Sequence, residues 1–202
     1  MARRHKHSLK EIREMVLDAA ETIVIDKGYS ALTVRRIAMD IGYTVGCLYM
    51  VFDNMADLLV HIKANTVDNL IEQLQQVPEN DVPEHYIAEL AKAYLQFANQ
   101  NFNRWSMIFA HDDETPAWYR QKTRHIPRQI EAQLAKLAPH CSAQQHKQAA
   151  LALCSGIHGI CTLSLTGKQN ADEMNQVENT ISLLVESFIG GWVASLYFKN
   201  QS

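Results

Sequence analysis

Three groups of side chains have the types and spacing for chemistry. Cys154, His158 and Cys161 fall at i, i+4 and i+7, one face of a helix, and thiolate with imidazole is a donor set that zinc and copper take. No second Cys/His cluster stands ready to complete such a site, and the flanking residues are apolar. The triplet therefore reads as core packing, and no metal is assigned. His111-Asp112-Asp113-Glu114 has the groups for acid–base or metal chemistry. Acidic residues ahead of Thr115-Pro116 are more simply explained by the positive end of the helix that follows. Cys47 suggests a redox switch, but a reactive thiol needs a lowered pKa, and a small side chain filling a short polar position is the simpler reading. The sequence has no Gly-rich phosphate loop, paired metal motif or nucleophile elbow. No catalytic residue and no cofactor is assigned. An enzyme or metal sensor built on the C-terminal helical body is the alternative function, with His111 and Asp112 or Asp113 as the enzyme's residues.

The elements that must position these groups are helices throughout. Leu9, Ile12, Val16, Leu17, Ala20, Ile23 and Val24 repeat at helical spacing and stop before Gly28, which accepts a left-handed backbone without steric cost. Thr33 is placed to cap a second, short helix with Val34, Ile37, Ala38 and Ile41 inward and Arg35, Arg36 and Asp40 outward. Gly42 ends it, and Thr44 caps a third helix to about Met50. Asp53 or Asn54 caps a fourth to about Gln76. Val77–Pro83 holds two prolines and reads as the boundary between two parts. Helices are expected at roughly 84–101, 103–111, 116–138, 143–167 and 173–199, with Pro127 kinking or breaking the third of these and Pro116 at its first position. No alternating strand pattern and no internal repeat is present, so the fold class is all-α.

Residues 33–52 have the arithmetic of a helix-turn-helix: a supporting helix, a turn at Gly42 and a second helix free to enter a major groove. Val45, Gly46 and Cys47 follow the cap of that second helix. All are small or short, which lets backbone and amides approach phosphates and base edges. Tyr49 carries a hydroxyl on a rigid ring, suited to a phosphate oxygen.

Here the motif becomes specific. Gly28-Tyr29, Leu32-Thr33-Val34, Ile37-Ala38, Ile41-Gly42-Tyr43-Thr44, Gly46-Cys47-Leu48-Tyr49, Phe52 and Asp57-Leu58 resemble the N-terminal domain of TetR-family (TetR/AcrR-like) transcriptional regulators over about residues 9–63. Ser155-Gly156-Ile157-His158-Gly159 looks like the His-Gly element of one C-terminal subtype. The resemblance implies a homodimer that binds a palindromic double-stranded DNA operator, usually as a repressor, released by a small-molecule effector. It implies residues 1–55 as the DNA-binding domain with a basic arm, and 56–202 as the helical effector-binding and dimerisation domain. Carried over by position, Thr33 caps the second helix and meets phosphate, Arg35 reaches a base, Thr44, Val45, Gly46 and Cys47 form the reading surface, and Tyr49 binds phosphate. A bidentate Arg35–guanine contact would discriminate by about 1–3 kcal/mol. Met55 departs from the family's usual Lys; one cationic contact fewer lowers the salt slope by about 0.9. Arg3, Arg4 and Lys6 are the compensating arm on phosphates or in the minor groove.

Beyond this unit, Trp105, Phe109, His111 and Trp118, with His158, are the candidate effector pocket, since aromatic side chains with a few polar handles line apolar ligand sites. Ala149–Thr166 and Ile181–Phe198 are nearly free of charge. Their Ser, Thr, His and Gly content favours a buried helix pair over a membrane hairpin, and Gly190-Gly191 allows close approach of helices. The last two helices are accordingly the expected dimer interface, as half of a four-helix bundle.

Composition sets the outer bounds. The chain has 202 residues, 47% hydrophobic and 20% charged, which excludes disorder, and its four Cys imply no disulfide framework and suit a reducing cytoplasm. A net charge of −3 argues against nucleic acid only if charge is uniform. Five of the first thirteen residues are basic and one is acidic, whereas residues 64–202 carry ten basic and fourteen acidic side chains. The expected pattern is a basic arm on an acidic body.

Overall fold

The computed structural model describes residues 7–109, 115–165 and 170–199, with side chains to residue 196. Among them are ten α-helices and no strand: α1 (Leu9–Lys27), α2 (Val34–Asp40), α3 (Val45–Leu48), α4 (Met55–Gln75), α5 (Pro83–Gln100), α6 (Phe102–Trp105), α7 (Ala117–Thr123), α8 (Arg128–Leu137), α9 (Ala143–Ser164) and α10 (Ala171–Lys199). The chain forms two compact units, Met1–Val67 with Asn103–Tyr119, and Asp68–Phe102 with Arg120–Ser202. The division falls within α4. Val77–Pro83 is not a boundary between these units: it joins α4 to α5 inside the second, and Pro83 sits at the first position of α5, where its missing N–H costs nothing.

In the first unit α1 begins with a capping box. The Ser8 hydroxyl accepts from the Glu11 amide and the Glu11 carboxylate accepts from the Ser8 amide. It ends at Gly28 with φ 75°, and α2 ends before Gly42 with φ 71°; a side chain would be strained at both. Thr33 accepts from the Arg36 amide and starts α2. Thr44 occupies the N-cap position of α3, but its hydroxyl lies 3.3 Å from Cys47 Sγ and caps no amide. At the head of α4 the Asn54 side chain accepts from the Asp57 amide, and the Asp57 carboxylate accepts from the Asp53 amide one residue earlier. Ile12, Val16, Ala20, Ile23 and Val24 of α1 close over Ile37, Ala38, Leu48, Phe52, Leu58, Leu59 and Ile62, and Met107 completes this core.

The segment expected to be helical over 103–111 is helical only to Trp105, with turns to Phe109. Its polar groups are claimed from elsewhere in the unit. The Asn103 amide donates to the Ile25 carbonyl at 2.9 Å, Arg104 pairs with Glu21 at 2.7 Å, and the Tyr119 hydroxyl donates to the Ile108 carbonyl at 2.7 Å. Pro116 precedes α7 rather than standing inside it, and the single helix expected over 116–138 is two, with Pro127 capping α8.

In the second unit α8 packs on α5 and α9, and α10 packs on α5 and α9. Ser142 and Gln145 form a second capping box at the head of α9. A Cβ on Gly156 would come within 2.8 Å of Leu184, so α9 and α10 meet closely at that position. Lys92 of α5 reaches Glu178 of α10 at 3.4 Å, and Lys122 holds Asp68 at 2.5 Å.

Candidate nucleic-acid interface

The inward anchors of α3 determine what it presents. Leu48 and Phe52 are buried, 3% and 4% exposed, and Val45 packs partly against the same core. Thr44, Gly46, Tyr49 and Met50 are exposed. Backbone bonds from Met50 to Cys47 and from Val51 to Leu48 close tight three-residue turns directly after α3. From α2, Thr33 and Arg35 are exposed, and no ion pair engages Arg35 among the described residues.

Two of the cations counted in the sequence serve the fold instead. Arg36 lies along α2 with Nε between the two oxygens of Asp40, at 3.1 and 3.0 Å. The Arg13 guanidinium sits 4.7 Å above the Phe52 ring and donates to Nε2 of His61 at 2.9 Å. His61 is further surrounded by Trp118, stacked at 5.4 Å, and by Asp57 at 3.6 Å. Burial, and then the Arg13 charge, hold His61 below its ordinary 6.5 against the pull of Asp57. A neutral imidazole is therefore the acceptor for Arg13.

Met55, at the position where a Lys was expected, is partly buried on the core and shares a small apolar depression with Val34, Leu48, Tyr49, Phe52 and Leu58. It packs beside Tyr49 instead of offering a charge. Sequence reasoning also missed His7, whose Nδ1 is 2.6 Å from the Tyr43 hydroxyl. That bond ties the residue before α1 to the turn before α3. Arg3, Arg4 and Lys6 lie outside the described residues.

The candidate effector residues separate. Trp105, Phe109 and Trp118 belong to the first unit: Trp105 is 1% exposed, Phe109 is partly exposed, and Trp118 stacks on His61. His111 lies outside the described residues. His158 belongs to the second unit, where its Nδ1 is 2.8 Å from the Tyr94 hydroxyl, and burial lowers its pKa. Burial pushes the thiols of Cys154 and Cys161 up to about 12. Among the described residues no group of three potential ligands converges.

With this geometry in place, the comparisons are consistent. A family model for "Bacterial regulatory proteins, tetR family" matches residues 16–62, and one for "Tetracyclin repressor-like, C-terminal domain" matches residues 87–188. The chain is 26% identical over 159 residues to the uncharacterized HTH-type transcriptional regulator Rv0681 of Mycobacterium tuberculosis, covering 77% of this chain and 71% of that one. Among solved structures, a protein of unknown function from Rhodococcus sp. RHA1 superposes with a TM-score of 0.71 at 20% identity, covering 95% of this chain and 98% of its own. The transcriptional regulator FadR of Bacillus subtilis, solved in complex with stearoyl-CoA, superposes with a TM-score of 0.62 at 17% identity, covering 88% and 98%. These likenesses show the fold. A helix-turn-helix matched by one model and a helical body matched by the other over half the chain identify a DNA-binding regulator, not an enzyme: the chain belongs to the TetR family of bacterial transcriptional regulators.

Proposed function

We propose that the protein is a cytoplasmic repressor that binds a palindromic operator as a homodimer and leaves it when a small-molecule effector binds. Residues 1–55 bind DNA; residues 56–202 bind the effector and dimerise. The observation that carries this reading is the α2–turn–α3 segment, which exposes Arg35, Gly46, Tyr49 and Met50 on one short motif. Arg35 contacts a base; Thr33 and Tyr49 contact phosphate; Thr44, Val45, Gly46 and Cys47 face the major groove. The His7–Tyr43 bond supports the arm reading for Arg3, Arg4 and Lys6, because it fixes their point of departure beside the turn.

Dimerisation through α9 and α10 is supported by what the single chain leaves uncovered. α10 is long and apolar enough to cross a membrane by length and composition, yet only 22% of its apolar window is buried in one copy. Leu163 is 86% exposed, Leu183 is also exposed, and Gly190 and Gly191 have no neighbour near a Cβ. A second copy covers this surface as a four-helix bundle. For the effector, His158 with Tyr94 is the polar handle in the body. The acyl-CoA held by the Bacillus subtilis neighbour makes amphipathic thioesters the first class to screen.

Selection from a random duplex library tests the reading. The expected product is an inverted repeat bound by two protomers, with Arg35→Ala weakening it by about 1–3 kcal/mol. Enrichment of no sequence over random duplex overturns it. An effector is expected to raise the melting temperature and release the duplex, since a ligand can shift only the equilibrium it binds unequally.

A further inference from the structure

The hydrogen-bonding inventory of the reading face is unusually short. With 100° per residue and Leu48 as the inward point, Gly46 lies roughly opposite it, about 160° round, and Met50 follows in the turn after α3. Tyr49 and Cys47 flank Gly46. Met50 is 65% exposed, a long apolar side chain left in solvent directly after the reading helix. Gly46 and Val45 have no side-chain donor or acceptor, and Met50 has only a weak thioether acceptor. Cys47 has a weak one, within 3.3 Å of the Thr44 hydroxyl, and the Tyr49 hydroxyl at the edge of this face is the one assigned to phosphate. Of the two arginines on α2, Arg36 is held by Asp40. That leaves Arg35, on the supporting helix, as the guanidinium for a guanine.

Gly46 adds a second, independent observation. Its φ is not positive, and a Cβ there would meet only the Thr44 hydroxyl at 3.8 Å, an ordinary contact. Nothing inside the protein requires glycine at this helical position, where alanine is the better helix former. Glycine there provides clearance for something outside, and it brings Met50 and Cys47 closer to whatever surface α3 meets.

Among the base edges in a major groove, the C5-methyl group of thymine is the one apolar feature. We propose that α3 reads sequence chiefly through thymine methyl groups, packed against the Met50 thioether and Cys47, and that Met50 is a specificity-determining residue. The inference rests on the reading that α3 enters the major groove. A methionine suits this role because its flexible, polarisable side chain adapts its contact to a methyl group without a hydrogen bond to align.

The test uses the full chain and the duplex recovered by selection. Each half-site thymine is replaced in turn by deoxyuridine, which removes the methyl and leaves every hydrogen-bonding group in place. Competition binding is expected to show one or two positions per half-site where affinity falls about fourfold per methyl. At one of these positions the same replacement has no effect on Met50→Ala, whose side chain is too exposed for its loss to disturb the core. Uniform indifference to deoxyuridine overturns the proposal while leaving operator binding intact. An equal deoxyuridine penalty in wild type and Met50→Ala overturns the role of Met50. Failure to enrich any duplex overturns both this inference and the reading beneath it.

Discussion

α3 and α9 carry the same unusual residue types within a few positions of one another, glycine and cysteine, and put them to opposite uses. In α9 Gly156 and both cysteines face inward. Gly156 lies where Leu184 leaves no room for a Cβ, Cys161 is buried, Cys154 is largely so, and His158 is engaged by Tyr94. In α3, Gly46 faces open space and Cys47 is half exposed beside Thr44. A residue type therefore says little by itself. Whether the fold has a use for it decides between packing and recognition, and that can be tested one glycine at a time.

The largest effect is expected at Gly156. Gly156→Val brings a Cβ within 2.8 Å of the Leu184 side chain, which must move aside between α9 and α10, an overpacking change of about 1–3 kcal/mol. Thermal unfolding should show the loss, and a melting temperature equal to wild type would mean Leu184 moves aside at little cost. Gly159→Val is the control on the same helix for packing within one copy, where no atom lies within 4 Å of a Cβ at that position.

Gly46→Ala should do the reverse. Helix propensity favours alanine by about 1 kcal/mol, so the melting temperature should stay or rise by a few degrees, while operator affinity falls at least about tenfold as the added methyl fills the clearance. A variant that is more stable and still binds normally would return Gly46 to the class of incidental glycines.

These contrasts also explain what the sequence discloses and what it withholds. Gly28, Gly42, Thr33, Asn54 and Pro127 act on their own few residues, so helix starts, stops and the break before α8 are legible. The reading helix is legible for the same reason, as a short motif at fixed spacing. The early end of α6 is not, because Asn103 bonds to Ile25 and Tyr119 bonds to Ile108 across long stretches of chain. Counting cations misjudges the interface for a related reason. Arg13 and Arg36 look alike and available in the sequence, yet one lies over Phe52 and the other along Asp40. Aromatic residues at 105–118 suggest a ligand pocket, but one of them, Trp118, is the stacking partner of His61 in the second turn of α4.

That histidine gives the smallest effect, one that tests whether the unit behind α3 is held by charge as well as by packing. His61 accepts from Arg13 of α1, lies between Phe52 and Trp118, and is near Asp57 on its own helix. Its folded pKa is below the ordinary 6.5 because of burial and the Arg13 charge, so the unfolded chain binds the proton more readily. Its contribution is therefore complete above about pH 6.5 and is lost as pH falls from there through the lowered folded value. Protonation would also turn the acceptor of the Arg13 bond into a second cation facing the guanidinium. Melting temperature should fall between pH 7.5 and 5.5, and His61→Gln, which can accept from Arg13 without titrating, should fall less steeply. His158 is shifted in the same direction by burial in the second unit, but it titrates alike in both proteins and cancels in the difference. Parallel slopes would show that the Arg13–His61 bond is indifferent to protonation, and that packing of Phe52 and Leu48 alone holds α3 against α1 and α4.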